Sequence, residues 1–148
     1  MNLLISACLL GVSCRYDGKT KPLDEKILNK LKEKHHLIPI CPEIMGGLPT
    51  PRIPAEIAKD RRVLRRDGAD ITSEYEKGAH EALRLAEFFG CTTAILKARS
   101  PSCGRDVIYD GTFSDTLTEG DGITAELFRK NGIRIIREDE ISNFLEEQ

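Results

Sequence analysis

Hydrophobic and polar positions along the chain form two alternating patterns. Short, nearly continuous apolar runs predict buried strands at residues 2–7, 37–40, 92–96 and 133–136. Between these runs, apolar residues recur at helical spacing, which predicts helices over residues 23–34, from 72 or 73 to 90, over 124–131 and over 140–147. Strands separated by helices pair in parallel through right-handed crossovers. The pattern therefore predicts an α/β fold, a three-layer α/β/α sandwich around a Rossmann-like, mostly parallel sheet.

Two long segments follow neither pattern. Residues 42 to about 60 and 98–121 are rich in proline and glycine, so both are predicted to be irregular loops. Between them, the Asp67-Gly68 pair stands amid short apolar groups and predicts a small hairpin over residues 62–71. With no internal repeat or linker, residues 1–148 are predicted to form one domain.

Composition narrows the classes of partner. Twenty-two basic and twenty-four acidic residues give a net charge of −2, and only 5% of residues are aromatic. This balance provides neither the field nor the stacking surfaces that hold long nucleic acids. The longest apolar run, residues 3–12, is shorter than the roughly 20 residues that span a bilayer and has no basic segment before it. We therefore expect a cytoplasmic protein that binds neither long nucleic acid nor membrane.

The five cysteines suggest where the chemistry lies. Cys8 and Cys41 directly follow the first and second predicted strands, and Cys103 lies in the loop after the third. Because ligands of open α/β sheets bind beyond the carboxyl ends of the strands, these three thiols are predicted to converge at one rim. Cys14, in the first loop, is close enough to be a fourth ligand or a resolving thiol. Cys91 begins the third strand at the opposite edge and is expected to be a small buried residue.

Several kinds of site are compatible with such thiols. Zinc commonly takes a histidine as well, but His35 and His36 lie on the opposite side of the second strand, and His80 lies within a helix. An iron–sulfur cluster accepts dispersed cysteines, and three ligands would leave one iron open to a substrate. Topology alone also leaves open three unrelated loop thiols. A further alternative is a thiol-based or metal-sensing binding module that uses Cys8 and Cys14 with another thiol.

Three sequence motifs surround the predicted rim. They read SACLLG followed by CRYDG over residues 6–18, CPE followed by GGLPTPR over 41–52, and LKARSPSCG followed by YDGTF over 96–113. In this order, and over essentially the whole chain, they resemble the TudS-like thiouracil desulfidase family of small bacterial and archaeal proteins. That family was long labelled a domain of unknown function.

The resemblance implies a [4Fe–4S] cluster held by three cysteines, which match Cys8, Cys41 and Cys103, with one iron left open. It also implies a non-redox hydrolysis that removes sulfur from a thiolated uracil. In that reaction the substrate sulfur binds the open iron, water attacks the carbon, and hydrosulfide leaves. Glu43 and Ser100 match the family's proposed catalytic pair, Glu43 as the acid–base group and Ser100 as a group that orients water or the ring. Cys14 matches a position where relatives often carry another residue.

The resemblance further suggests a nucleotide substrate, because several relatives are thought to convert 4-thiouridine 5′-monophosphate to UMP and hydrosulfide. A phosphate requires cations, and the rim loops offer Arg15, Arg52, Lys97 and Arg99. Backbone N–H groups at the start of the helix near residues 120–124 are expected to add donors. Another thiolated substrate, or a role as sulfur carrier, is the alternative within the same chemistry.

Overall fold

The structure is a computed structural model that describes residues 1–147. In chain order its strands are β1 (Asn2–Ser6), β2 (His36–Ile40), β3 (Ala55–Ile57), β4 (Val63–Arg65), β5 (Thr93–Leu96), β6 (Val107–Tyr109), β7 (Leu117–Glu119) and β8 (Arg134–Arg137). Its helices are α1 (Glu25–Lys34), α2 (Pro42–Met45), α3 (Thr72–Phe88), α4 (Ile123–Lys130) and α5 (Ile141–Glu146). Short 3₁₀ helices cover Ala7–Leu10 and Glu138–Glu140. Across the described residues, no helix combines the length and apolar character that crossing a bilayer requires.

The central sheet contains four parallel strands in the order β2-β1-β5-β8. Helices cover both faces because successive strand residues point to opposite sides. Leu3 and Ile5 pack on one side with Leu31 of α1 and residues of α5. Leu4 packs on the other side with α3 and with Phe128 of α4. The predicted three-layer sandwich with a parallel sheet is therefore confirmed.

The order of the strands also locates a functional edge. From β1 the chain adds β2 on one side, and it later adds β5 and β8 on the other side. The crevice between the carboxyl ends of β1 and β5 is thus a topological switch point, where sheets of this kind bind ligands.

The two segments predicted to be irregular contain ordered elements. The first includes α2 and β3, and the second includes an antiparallel hairpin of β6 and β7. The small hairpin predicted around Asp67-Gly68 is present in minimal form: an antiparallel bridge joins Leu64 to Asp70, and the N–H groups of Arg65 and Ile71 donate to the carbonyls of Ala69 and Val63. On its other edge, β4 pairs along its length with β3. Strands of three residues are too short to show a clear alternation of apolar and polar positions, so the sequence did not reveal them.

Helix α2 docks directly against α3. A Cβ atom placed on Gly78 of α3 would lie 1.8 Å from the carbonyl oxygen of Pro42, and one placed on Gly46 would lie 2.0 Å from that of Glu74. The two backbones can approach so closely only because both positions lack a side chain. This contact fixes residues 41–45 relative to the first turns of α3.

Candidate active site

A cavity of about 340 Å³ opens at the carboxyl edge of the central sheet. Its walls come from the loops after β1, β2 and β5 and from the two hairpins. Four thiols line it, namely those of Cys8, Cys14, Cys41 and Cys103. The structure thus brings together the three cysteines that the topology predicted to converge and places Cys14 beside them. Cys91, by contrast, is buried just before β5, outside the cavity lining.

Each thiol is held by a short, defined piece of backbone. Cys8 lies in the 3₁₀ helix that follows β1, and Cys41 occupies the N-cap position of α2. Cys103 lies in a turn after β5. The carbonyl of Cys14 accepts hydrogen bonds from the Cys41 thiol at 3.8 Å and from Nη2 of Arg52 at 3.1 Å. Cys41 is half-buried and the other three are buried, so access to the thiols is through the cavity.

Burial and mutual contact keep most of these thiols protonated. Burial raises the pKa of Cys103 to about 12, with the Glu43 carboxylate adding to the rise. The hydrogen bond to Cys14, then burial and Glu43, raise the pKa of Cys41. Contact with Cys41 lowers the pKa of Cys14, but contact with Cys8 and burial outweigh that effect and the pKa is raised. The positive charge of a metal centre would lower the pKa values of these thiols again, because metals bind cysteine as the thiolate.

The donor atoms at the cavity are sulfur without imidazole nitrogen. His35 lies 3.3 Å from the amino terminus and stacks on Phe144, at the other end of the sheet, while His80 is exposed on α3. Within residues 1–147, no three or more histidine, cysteine or acidic side chains surround a point suited to one metal ion. Thiols alone, arranged around a cavity, are the donor set that iron–sulfur clusters use. The residues present therefore fit a cluster.

Glu43 stands in the first turn of α2, two residues after Cys41. Its Oε2 atom accepts hydrogen bonds from Arg52 Nη2 at 3.0 Å and from the Tyr75 hydroxyl at 3.2 Å. Burial alone would lower the pKa of Arg52, but the adjacent Glu43 carboxylate raises it overall. Burial and the same carboxylate raise the pKa of Tyr75. Glu43 thus lies at the cavity with its negative charge compensated on one side.

The sequence predicts Arg52 as a phosphate ligand, and in the structure its guanidinium already has several partners within the protein. Both terminal nitrogens are already occupied: Nη1 donates to the Pro49 carbonyl and the Thr50 hydroxyl, and Nη2 donates to Cys14 and Glu43. Its side chain is only 6% exposed. Arg52 therefore connects the loops of the site, and a phosphate could gain its terminal nitrogens only in competition with these partners.

Ser100 closes the turn that carries Cys103. Its hydroxyl oxygen accepts the backbone N–H groups of Ser102 at 3.0 Å and Cys103 at 3.1 Å. With its oxygen used in this way, Ser100 still has a hydroxyl proton to donate into the cavity that it lines.

The predicted phosphate donors at the start of α4 are also occupied. The N–H groups of Gly122, Ile123 and Thr124 donate to carbonyl oxygens of the 101–104 segment at 2.7–2.9 Å. A ligand would have to break these bonds. The start of α4 therefore supports the Cys103 turn and does not offer the anion site that the sequence suggested.

The remaining predicted cations differ in their availability. Lys97 Nζ donates to Glu138 Oε1 at 2.6 Å, so its charge is already paired. Arg15 and Arg99 line the cavity, and within residues 1–147 neither makes an ion pair. Arg15 lies over the Tyr16 ring, with its guanidinium carbon 5.9 Å from the ring centre.

Comparison with known proteins agrees with this geometry. A sequence model described as 2-thiouracil desulfurase matches residues 3–140. The chain belongs to the 2-thiouracil desulfurase family. It is 39% identical to the uncharacterized protein YbbK of Bacillus subtilis (strain 168), over 97% of this chain and 99% of that protein. It is also similar to the solved structure of the [4Fe–4S]-dependent thiouracil desulfidase TudS, with 41% identity, a TM-score of 0.91, and coverage of 96% of this chain and 93% of that one.

In this member of the 2-thiouracil desulfurase family, the structure adds lining residues that the sequence did not single out. Lys21 and Arg66 are further cations at the cavity without an ion pair in the described part of the chain, and Arg66 lies over the Phe113 ring at 5.7 Å. Tyr75 is the third addition. The helical pattern predicted the helix that carries it, but no local signal showed that the first turn of α3 reaches the site.

Proposed function

We propose that this protein is an iron–sulfur-dependent desulfidase that hydrolyses a thiolated uracil or its nucleotide without net redox change. The observation that carries the proposal is the gathering of the Cys8, Cys41 and Cys103 thiols around one cavity beside Glu43. The similarity to a [4Fe–4S]-dependent thiouracil desulfidase supports it. We also propose that residues 1–148 form one domain. We place the protein in the cytoplasm, because free thiols suit a reducing compartment.

In this proposal Cys8, Cys41 and Cys103 would hold a [4Fe–4S] cluster through their thiolates, so that one iron would stay open to the substrate. When bound, the cluster supplies a Lewis acid that polarises the carbon–sulfur bond of the substrate. Glu43 takes a proton from the water that attacks the carbon, and it later returns a proton to the departing sulfur. Ser100 donates its hydroxyl proton to the ring or to the water. The reaction consumes one thiocarbonyl group and one water. It yields one carbonyl group and one hydrogen sulfide, which is released as hydrosulfide and a proton.

The first experiment measures iron and acid-labile sulfide per chain after anaerobic purification or reconstitution. About four of each are expected for a [4Fe–4S] centre. Serine substitution at any of Cys8, Cys41 and Cys103 should abolish both cluster and sulfide release. Cys91→Ser, a buried cysteine outside the cavity, is the matched control and should retain both. Absence of iron after reconstitution, or full activity in one of the three serine variants, would refute the assignment.

We further propose a nucleotide, 4-thiouridine 5′-monophosphate, as the substrate. The cavity volume lies within the range of small-molecule sites. The lining cations that make no ion pair within residues 1–147 can bind a phosphate, namely Arg15, Lys21, Arg66 and Arg99. Lys97 and Arg52, by contrast, are engaged with carboxylates.

Sulfide release from the free base, the nucleoside and the nucleotide tests this assignment. The nucleotide should give the highest kcat/KM. Arg66→Gln should raise KM for the nucleotide by roughly tenfold, as expected for loss of a charged hydrogen bond, and leave KM for the nucleoside unchanged. An equal effect on both substrates would argue against a phosphate site at Arg66.

A thiol-based or metal-sensing module is the second candidate, favoured by one observation. The carbonyl of Cys14 accepts a hydrogen bond from the Cys41 thiol, and Cys14 lines the same cavity as Cys8 and Cys41. Cys14→Ala separates the two functions. A desulfidase that uses three cysteines should keep its iron and its activity in this variant. A thiol switch should instead lose the change in free-thiol count between oxidising and reducing conditions.

A further inference from the structure

The two oxygens of the Glu43 carboxylate have different surroundings. Oε2 receives both hydrogen bonds, from Arg52 and from Tyr75, whereas Oε1 accepts none within residues 1–147. The two donors are buried, with 6% of the Arg52 side chain and 3% of Tyr75 exposed. They approach from different elements, Arg52 from the loop before β3 and Tyr75 from the first turn of α3.

We propose that Arg52 and Tyr75 are positioning residues that direct proton exchange to Oε1 of Glu43. This inference rests on the proposed function and deepens it. Oε2 is already occupied by two donors from the protein, one of them a guanidinium cation, which leaves Oε1 as the carboxylate oxygen that can exchange a proton with a ligand or water. Rotation of the carboxylate would break both hydrogen bonds to Oε2, so the two donors hold the carboxylate in one orientation. Glu43 lines the cavity, so the oxygen without a protein donor is the one available to a bound molecule, and acid–base catalysis depends on such precise placement.

The two positioning residues differ in how many other hydrogen bonds they make. Arg52 also donates to the carbonyls of Cys14 and Pro49 and to the Thr50 hydroxyl, so its replacement disturbs three further hydrogen bonds in two loops. Within the described part of the chain, the Tyr75 hydroxyl makes its only hydrogen bond to Glu43. Its ring packs in the apolar cluster with Ile57 and Val63, and phenylalanine would preserve that packing. Tyr75→Phe is therefore the cleaner test.

Tyr75→Phe should retain the iron and sulfide content of the wild-type protein, and its KM should stay within about twofold. We expect kcat to fall about tenfold, a fraction of the 10²–10⁴ that a placed acid–base group contributes. Ser73→Ala removes an exposed hydroxyl from the same helical turn and should leave kcat unchanged. Arg52→Lys should lose more than Tyr75→Phe, because a single ammonium cannot reach all four acceptors.

A double-variant comparison separates positioning from a general structural role. If Tyr75 acts only through Glu43, then adding Tyr75→Phe to Glu43→Gln should cause no further loss of the residual rate. In the cluster-free protein, the ¹³Cζ resonance of Tyr75 should also shift on Glu43→Gln, which reports the contact without any turnover. Wild-type kcat in Tyr75→Phe, or fully additive losses, would overturn the inference. If the wild-type protein with its cluster releases no sulfide from thiolated uracils or their nucleotides, the proposed function itself is overturned.

Discussion

Replacing Gly78 by alanine should separate α2 from α3 and weaken both stability and turnover. The new Cβ would lie 1.8 Å from the Pro42 carbonyl oxygen, whereas real Cβ atoms essentially never approach closer than 3.0 Å. The helices must therefore move apart by at least about 1.2 Å. The obstacle is a backbone carbonyl, which cannot rotate away as a flexible side chain can. The same oxygen accepts the Gly46 N–H that closes α2, so the helix is strained by the move.

The energy can be worked from two opposing effects. Overpacking of this kind costs about 1–3 kcal/mol, while alanine gains about 1 kcal/mol over glycine in a helix. Subtracting the gain from the cost leaves a net loss of about 1 kcal/mol in the free energy of unfolding, and at most about 2 kcal/mol, which corresponds to roughly 2–4 °C in Tm per kcal/mol for a chain of this size. Glu43 is part of α2, so moving this helix by about 1 Å also moves the carboxylate relative to Tyr75. Such a displacement should lower kcat on the order of 100-fold.

Thermal unfolding followed by circular dichroism and steady-state sulfide release provide the two measurements. Lys77→Ala changes an exposed neighbour on the same helix and should alter neither. Gly46→Ala should reproduce the defect from the other side, since its Cβ would lie 2.0 Å from the Glu74 carbonyl. If Gly78→Ala unfolds at the wild-type temperature with wild-type kcat, direct backbone docking of these helices is refuted.

Two further predictions concern the support of the cavity walls. Glu56 Oε1 accepts the N–H groups of Gly111 and Phe113, so Glu56→Ala should speed hydrogen exchange at those two amides; unchanged exchange there would contradict the role. Ser102→Ala removes the 2.9 Å partner of the buried Thr124 hydroxyl and should cost about 1–2 kcal/mol in denaturant unfolding. Adding Thr124→Val to that variant should then cost less than Thr124→Val alone, and strict additivity would exclude the pair as a unit.

The spacing of hydrophobic residues predicted the four strands of the central sheet and the longer helices between them. The apolar runs that became β1, β2, β5 and β8 set where each strand ends, and the ends of the strands fixed the meeting of Cys8, Cys41 and Cys103. Helix α1 was predicted from residue 23 and begins at Glu25, after an N-cap at Asp24 that accepts the Lys26 N–H. These features follow from local patterns that a single sequence displays.

The partners of individual charged side chains could not be predicted in the same way. Arg52 sits in a proline-rich loop, where the path of the backbone has no period. From the sequence it could pair equally with Asp17 or Glu56, yet in the structure it pairs with Glu43. Tyr75 likewise reaches Glu43 only because two glycines let α2 and α3 touch. Both contacts depend on segments that are distant in sequence and come together in the fold, and the local sequence around each residue does not reveal them.

The long sequence separation of the cavity walls has a consequence for the order of assembly. The thiols stand at positions 8, 41 and 103, and the rim that gathers them exists only after Leu4 has paired with Ala94 across β1 and β5. Contacts between such distant residues form later than local ones. A nascent chain that ends before β5 therefore offers two of these thiols but no enclosed cavity. Ligand capture at this rim must follow completion of the sheet, and by mass action it then draws the chain toward the finished fold.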